Sequence, residues 1–355
     1  MAKAETSRVV QPASDPALEA EVKAAIGAVP TLARYLLPVP WLTRLWVALV
    51  APPLGEVSAE LATLVLFVVA RDNGCRYCSG SSRTILRING FSERAIDELE
   101  RDVHLADLDP GFGPALDFTR RLSRYHPAPP PAELARLEAL GFSPAGAREL
   151  AFVAARACFI TRVATFLDIP DERFQGLERR RVFVVLRPLL RLLFRSGTST
   201  WAPPDGAPAA APFAEFVALA GLPPRIADGL RWGLAQTAEL ARVPARTALL
   251  ITGVIARALG CPRVEARARA GASDCGLTPA TFDAWLRTLA APEMSPLEVR
   301  ALPLARETAR YRVEELLPRL LEFSEAHEDA LVIEVLGLCA LANLLCRLEV
   351  IDDRA

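Results

Sequence analysis

Apolar residues recur along the chain at spacings of three and four, and runs that alternate with period two and are rich in Val, Ile and Thr are absent. This pattern predicts an all-α fold. Helix starts are marked by Asp15-Pro16, Ser92-Glu93 and Pro110-Gly111, and Ser143-Pro144 opens a long helix that reaches Asp168. The stretch from Ser196 to Pro212 is rich in Pro, Ala and Gly and has no apolar stripe, so it reads as a linker.

An internal repeat organises the rest. A single shift of 186 positions sets Trp46 on Trp232, Val57 on Val243, Ala70-Arg71 on Ala256-Arg257, Gly74-Cys75 on Gly260-Cys261, Gly90 on Gly276 and Arg124-Tyr125 on Arg310-Tyr311. The shift holds without a gap over about eighty residues. After a few-residue deletion in the second copy, the last helices correspond too, FSPAGARELAFVAARACFITRV against FSEAHEDALVIEVLGLCALANLLCRL. The expected organisation is an extension over 1–19, a first unit over 20–170, a basic helix and linker over 171–212 and a second unit over 213–355. The two units form a covalently linked pseudo-dimer with approximate two-fold symmetry.

Composition narrows the function. Of 355 residues, 52% are hydrophobic, enough for two substantial cores. The net charge of −1 offers no basis for binding nucleic acid or an anionic membrane. Arg173 to Arg195 is both apolar and basic. It fits an amphipathic helix on a membrane surface, or an arginine-edged helix packed between the units and kinked at Pro188, and the neutral chain favours the second. The apolar runs 61–70 and 182–186 are far shorter than the ~20 residues that span a bilayer. The polar N-terminus lacks the apolar core of a secretory signal, which predicts a cytoplasmic protein whose seven cysteines are reduced thiols.

Candidate chemistry concentrates at Cys75 and Cys78. An apolar helix breaks at Asn73-Gly74 and a new one starts beside the pair, which sets Cys78 in a first helical turn, where unpaired amides favour a thiolate. The i, i+3 spacing puts both sulfurs on one face, in reach of a disulfide. The motif alone leaves three readings open: a redox pair, half of a zinc site, or two packed thiols. Zinc needs four ligands, and His104, His126 and His327 stand apart, so no metal or other cofactor is expected.

Asn73-Gly74-Cys75-Arg76-Tyr77-Cys78, followed by Gly90-Phe91-Ser92, resembles the alkylhydroperoxidase D and carboxymuconolactone decarboxylase superfamily, in particular its peroxidase-related branch. The closing segment 142–170, with Arg162, is similar to that family's last helix, and the resemblance covers most of residues 20–170. It implies an alkylhydroperoxidase-D-like helical fold that oligomerises. It also implies reduction of a hydroperoxide with Cys78 as the attacking thiol and Cys75 as the resolving one, an antioxidant cycle closed by an external thiol or protein reductant.

The pattern departs where the family carries a Glu–His relay, since Thr63 and Ser82 stand at those positions. Loss of a positioned acid–base group costs ~10²–10⁴ in rate. Glu60, one turn before Thr63, is a candidate substitute, and Tyr77 a candidate hydrogen-bond donor. The second unit keeps Cys261 but has Val264 and Ala268 in place of the second cysteine and the relay position, so its expected role is structural. The competing reading is a non-enzymatic helical scaffold or ligand-binding protein. Decarboxylation of a lactone acid is a third and weaker reading, because it does not call for a cysteine pair.

Overall fold

The computed structural model describes residues 6–124, 132–172, 201–204, 211–217 and 221–351, with 175, 183, 187, 188 and 219, except that 218 and 220 fall outside. The described residues are helical and contain no strand. Numbering the helices in order, the first half holds α1 (Pro16–Ile26), α2 (Thr31–Leu36), α3 (Pro40–Val50), α4 (Ala59–Asp72), α5 (Arg76–Asn89), α6 (Glu93–Arg101), α7 (Phe112–Arg124), α8 (Ala132–Ala139) and α9 (Pro144–Phe166). The second holds α10 (Pro224–Ala235), α11 (Ala245–Leu259), α12 (Pro262–Asp274), α13 (Pro279–Thr288), α14 (Pro296–Arg310), α15 (Val313–Glu325) and α16 (Asp329–Leu348). Most of the basic stretch 173–195, much of the linker and His126 lie outside the described residues.

The helix starts follow from side chains that take up orphan amides. Asp15 accepts from Ala17 and Leu18, Ser92 from Ala95 and Ser143 from Gly146, as their sequence contexts predict. Ser295 and Glu298 close a reciprocal capping box on α14. The bounds of α4 to α6 recur in α11 to α13 at a spacing of 186, within a residue.

At the last helix the spacing is 185, read from the N-cap residues Ser143 and Glu328. The deletion in the second half is therefore one residue rather than a few. The likeness of Phe142-Ser143 to Phe323-Ser324 is a false guide, because Phe323 lies in the last turn of α15 while Ser143 caps α9.

α9 and α16 pack directly on each other at the centre, each buried on nearly all faces. α16 is long and apolar enough to cross a membrane, but 94% of that window is buried inside the protein, the composition of a core helix. A second pair of counterparts, α3 and α10, which carry Trp46 and Trp232, also packs together. Here a Cβ on Gly233 would lie 2.7 Å from Ala48 Cβ, a contact that only glycine permits.

Two buried carboxylates tie the loops to this centre. Glu149 on α9 accepts the backbone N–H groups of Gly55, Glu56 and Val57 at 2.9–3.1 Å. Glu334 on α16, 185 residues later, accepts those of Ala241, Arg242 and Val243. It also takes the indole N–H of Trp41 at 2.8 Å, which joins the halves through a charged hydrogen bond. The N-terminal segment before α1 is part of this packing: Val9 and Val10 are buried, and Ser7 donates to the Leu167 carbonyl at 2.6 Å.

Removing Glu149 takes the acceptor from three amides, that of Val57 buried, and leaves a cavity in the centre of α9. Glu149→Ala is expected to lower the unfolding free energy by about 3 kcal/mol in denaturant titration, and a loss below about 1 kcal/mol would contradict this account of the loop.

Candidate functional site

α4 ends at Asp72, and the chain turns through Asn73 and Gly74, whose φ of +62° suits a residue without a side chain. The Asn73 amide donates to Thr161 Oγ1 on α9 at 2.9 Å and fixes the break against the central helix. Asp72 is buried and paired with Arg120 and Arg124 of α7. Cys75 is the N-cap of α5, and its Sγ accepts the N–H of Cys78 at 3.3 Å. Cys78 lies in the first turn, as its sequence context predicts, but the sulfur that receives the helix amide is that of Cys75.

Both thiols are free and 2% exposed. Burial pushes the Cys78 thiol well above its ordinary range, and its neighbour Cys75 adds to the rise. Cys75 reaches a small cleft of about 140 Å³, and Cys78 is not among the lining residues. The cleft is walled by Gly74 and Cys75, by Ala164 and Thr165 of α9, and by Val313 and Leu316 of α15, so both halves contribute. Its polar side carries Asp168, which pairs with Arg8 at 2.7 Å and Arg76 at 3.6 Å.

The other sequence-predicted residues are already engaged. Tyr77 donates its hydroxyl to Glu172 at 2.7 Å, and burial, then Glu172, hold that phenol well above its ordinary range. Ser82 is buried and donates to the Cys78 carbonyl at 2.6 Å rather than to a sulfur. Thr63 donates to the Ala59 carbonyl at 2.7 Å. Glu60 is exposed in the first turn of α4, about 18 Å along the helix from Asp72 at 1.5 Å per residue.

Sequence reasoning missed two neighbours of the pair. Glu172, just beyond α9, holds Tyr77 and also accepts from Thr31 N at 2.6 Å, with no motif to announce it. Tyr311, which the repeat match to Tyr125 flagged only as a shared residue, brings its ring to 4.5 Å from the Arg162 guanidinium.

The second half differs at the corresponding place. Cys261 is buried, its Sγ 3.7 Å from the Leu259 carbonyl and 3.8 Å from that of Cys346. The N–H of Val264, counterpart of Cys78, is taken by the Glu349 carboxylate at 2.7 Å. Glu349 stands where the first half has Ala164, so a carboxylate occupies the helix N-terminus that the first half leaves beside its cleft. Cys275 is free and exposed, and the residue at i−3 is Ala272. A larger surface groove of about 910 Å³ between α14 and α15 holds neither thiol of the pair. Among the described residues, no three His, Cys, Asp or Glu side chains gather in a metal-binding group.

No family model, no curated protein and no solved structure matches this chain.

The geometry orders the thiols by reactivity. A raised thiol pKa favours the neutral form, so Cys78 stays protonated at pH 7 and its alkylation should rise about tenfold per pH unit as the solution is made alkaline. With iodoacetamide and peptide mass spectrometry on the reduced protein, Cys275 is expected to label first and Cys75 ahead of Cys78. Labelling of Cys78 ahead of Cys75 at pH 7 would sink this ordering.

Proposed function

We propose that this chain is a thiol-dependent oxidoreductase of alkylhydroperoxidase type, built from two copies of one helical unit of which only the first is active. The observation that carries the reading is the Cys75 sulfur at the N-terminus of α5, 3.3 Å from the Cys78 amide and bordering a cleft. The recurrence of helix bounds, the direct packing of counterparts α3 on α10 and α9 on α16, and the matching roles of Glu149 and Glu334 support the pseudo-dimer.

The chemistry runs in two steps. A cysteine thiolate attacks the distal oxygen of a hydroperoxide. The O–O bond breaks, the alcohol leaves with a proton, and the sulfur becomes a sulfenic acid. The second thiol displaces water and closes a Cys75–Cys78 disulfide, which an external dithiol reduces by exchange. The family resemblance assigns the attack to Cys78, whereas the cleft and the helix amide favour Cys75, with Cys78 resolving. Thiols that cycle in this way suit a reducing compartment such as the cytoplasm.

The competing reading, a scaffold or ligand-binding helical protein, draws on a specific observation: both sulfurs are buried, and the hydroxyls of Thr63 and Ser82 are bound to backbone carbonyls.

One equivalent of hydroperoxide added to the reduced protein should remove two hydrogens from the peptide holding Cys75 and Cys78. In Cys78→Ser, a dimedone-type probe should trap sulfenic acid on Cys75, while Cys75→Ser should give no adduct. An adduct on Cys78 in Cys75→Ser would restore the order implied by the resemblance. No peroxide consumption and no disulfide in the wild type would leave the scaffold reading standing.

A further inference from the structure

Cys261 lacks the partner that Cys75 has three residues on, and its sulfur has a different environment. It stands at the N-cap of α12, yet its side chain takes up no amide there. Pro262 begins the helix without an N–H, and the amide of Val264 is already met by the Glu349 carboxylate at 2.7 Å. Relieved of the capping role that Cys75 performs in the first half, the thiol points to the central helix. It donates to the carbonyls of Leu259 at 3.7 Å and Cys346 at 3.8 Å.

The residue it meets on α16 is itself a cysteine. A sulfur 3.8 Å from the Cys346 carbonyl oxygen lies at that residue's own backbone, within one side-chain length of its Sγ. A disulfide joins Cα atoms roughly 4.4–6.8 Å apart, a separation that this approach permits. The thiols are neighbours: burial, and then Cys261, hold the Cys346 thiol well above its ordinary range. Both are free, at 1% and 0% exposure.

The repeat places the contact. At the central-helix spacing of 185, Cys346 occupies the position of Thr161, whose hydroxyl accepts the Asn73 amide and pins the first helix break. The position facing the break therefore carries a hydroxyl in one half and a thiol in the other, where the break itself retains a cysteine. The other cysteine of α16, Cys339, lies beside Thr308 of α14 instead.

We infer that Cys261 and Cys346 form a second dithiol site, a buried pair that a small hydroperoxide converts to a disulfide stapling the start of α12 to α16. With hydrogen peroxide as oxidant, one sulfur attacks as the thiolate and the O–O bond breaks. A sulfenic acid forms, and water leaves with the proton that the thiol gave up. The other thiol displaces a second water and closes the S–S bond, so two thiols and one peroxide become one disulfide and two waters. The closed loop holds α12 to α15, and α15 walls the cleft beside Cys75. A cross-link between residues 85 apart restricts the unfolded chain more than the folded one, so the oxidised protein is the more stable form. Cys75 and Cys78 take no part, and the inference stands apart from their role in turnover.

The test uses full-length Cys275→Ser, which removes the exposed thiol and with it cross-links between molecules. After excess hydrogen peroxide and alkylation of the remaining thiols, trypsin should yield peptide 258–263 joined to peptide 320–347. The joined species should be two hydrogens lighter than its parts and should separate on reduction. Fragmentation should place the link at Cys346, with Cys339 alkylated. Oxidation should raise the thermal midpoint by at least about 3 °C, a gain absent when Cys346→Ser is added. In that variant the loss of reduced Cys261 should slow at least about tenfold. Cys261 left reduced, linked to another cysteine or carried to sulfinic acid without a link overturns the inference, as does a link that leaves the midpoint unmoved. Should Cys346→Ser not fold, Cys261→Ser serves as the unlinked control. A missing link between Cys75 and Cys78, read on their own peptides, tells against the proposed function and leaves this pair untouched.

Discussion

The packing of α9 on α16 is the constraint on which the remaining architecture depends. Each helix is buried on nearly every face, so neither could exist without the other elements wrapped around it. Each also carries one buried carboxylate that collects three amides from the loop ahead of the next helix. Those loops set where α4 and α11 begin, and the position of α4 sets where it ends. The break at Asn73 is then pinned back onto α9 through Thr161, so the cysteine pair is located by the same helix that forms the centre of the protein.

Much of this was legible in the sequence because it rests on local signals. Asp15, Ser92 and Ser143 cap helices because a short polar side chain before an apolar period has few other uses, and Cys75 and Cys78 sit at a helix start because Asn73-Gly74 cannot continue the preceding one. The register of the last helices was not legible. The run Phe-Ser recurs at both places, yet only three-dimensional packing distinguishes a residue that caps a helix from one inside it. The neighbours Tyr311 and Glu172 were not legible either, since Tyr311 meets Arg162 across 149 residues (311 − 162) and Glu172 meets Tyr77 across 95.

Burial and reactivity pull against each other at this site. Withdrawing the Cys78 thiol from water stabilises its neutral form, whereas a nucleophile must ionise. The Cys75 sulfur accepts an amide at a helix start and has the cleft beside it. Under the redox reading proposed above, the sulfur at the cleft reacts first and the neutral Cys78 thiol resolves it. An inner thiol that stays neutral is also protected from unspecific oxidation.

The two halves differ at this place in the same electrostatic terms. At the first α5 start the amide of residue 78 is met by a sulfur, and the neighbouring position on the central helix is Ala164, small enough to leave space. At the equivalent start of α12 the amide of Val264 is met by Glu349, a full carboxylate that satisfies the helix dipole and fills the position. A helix N-terminus already neutralised by its own chain has little to offer a second anion. What the second half contributes lies at its other end, where α15 walls the cleft and the strained turn at Tyr311 carries a phenol across the boundary.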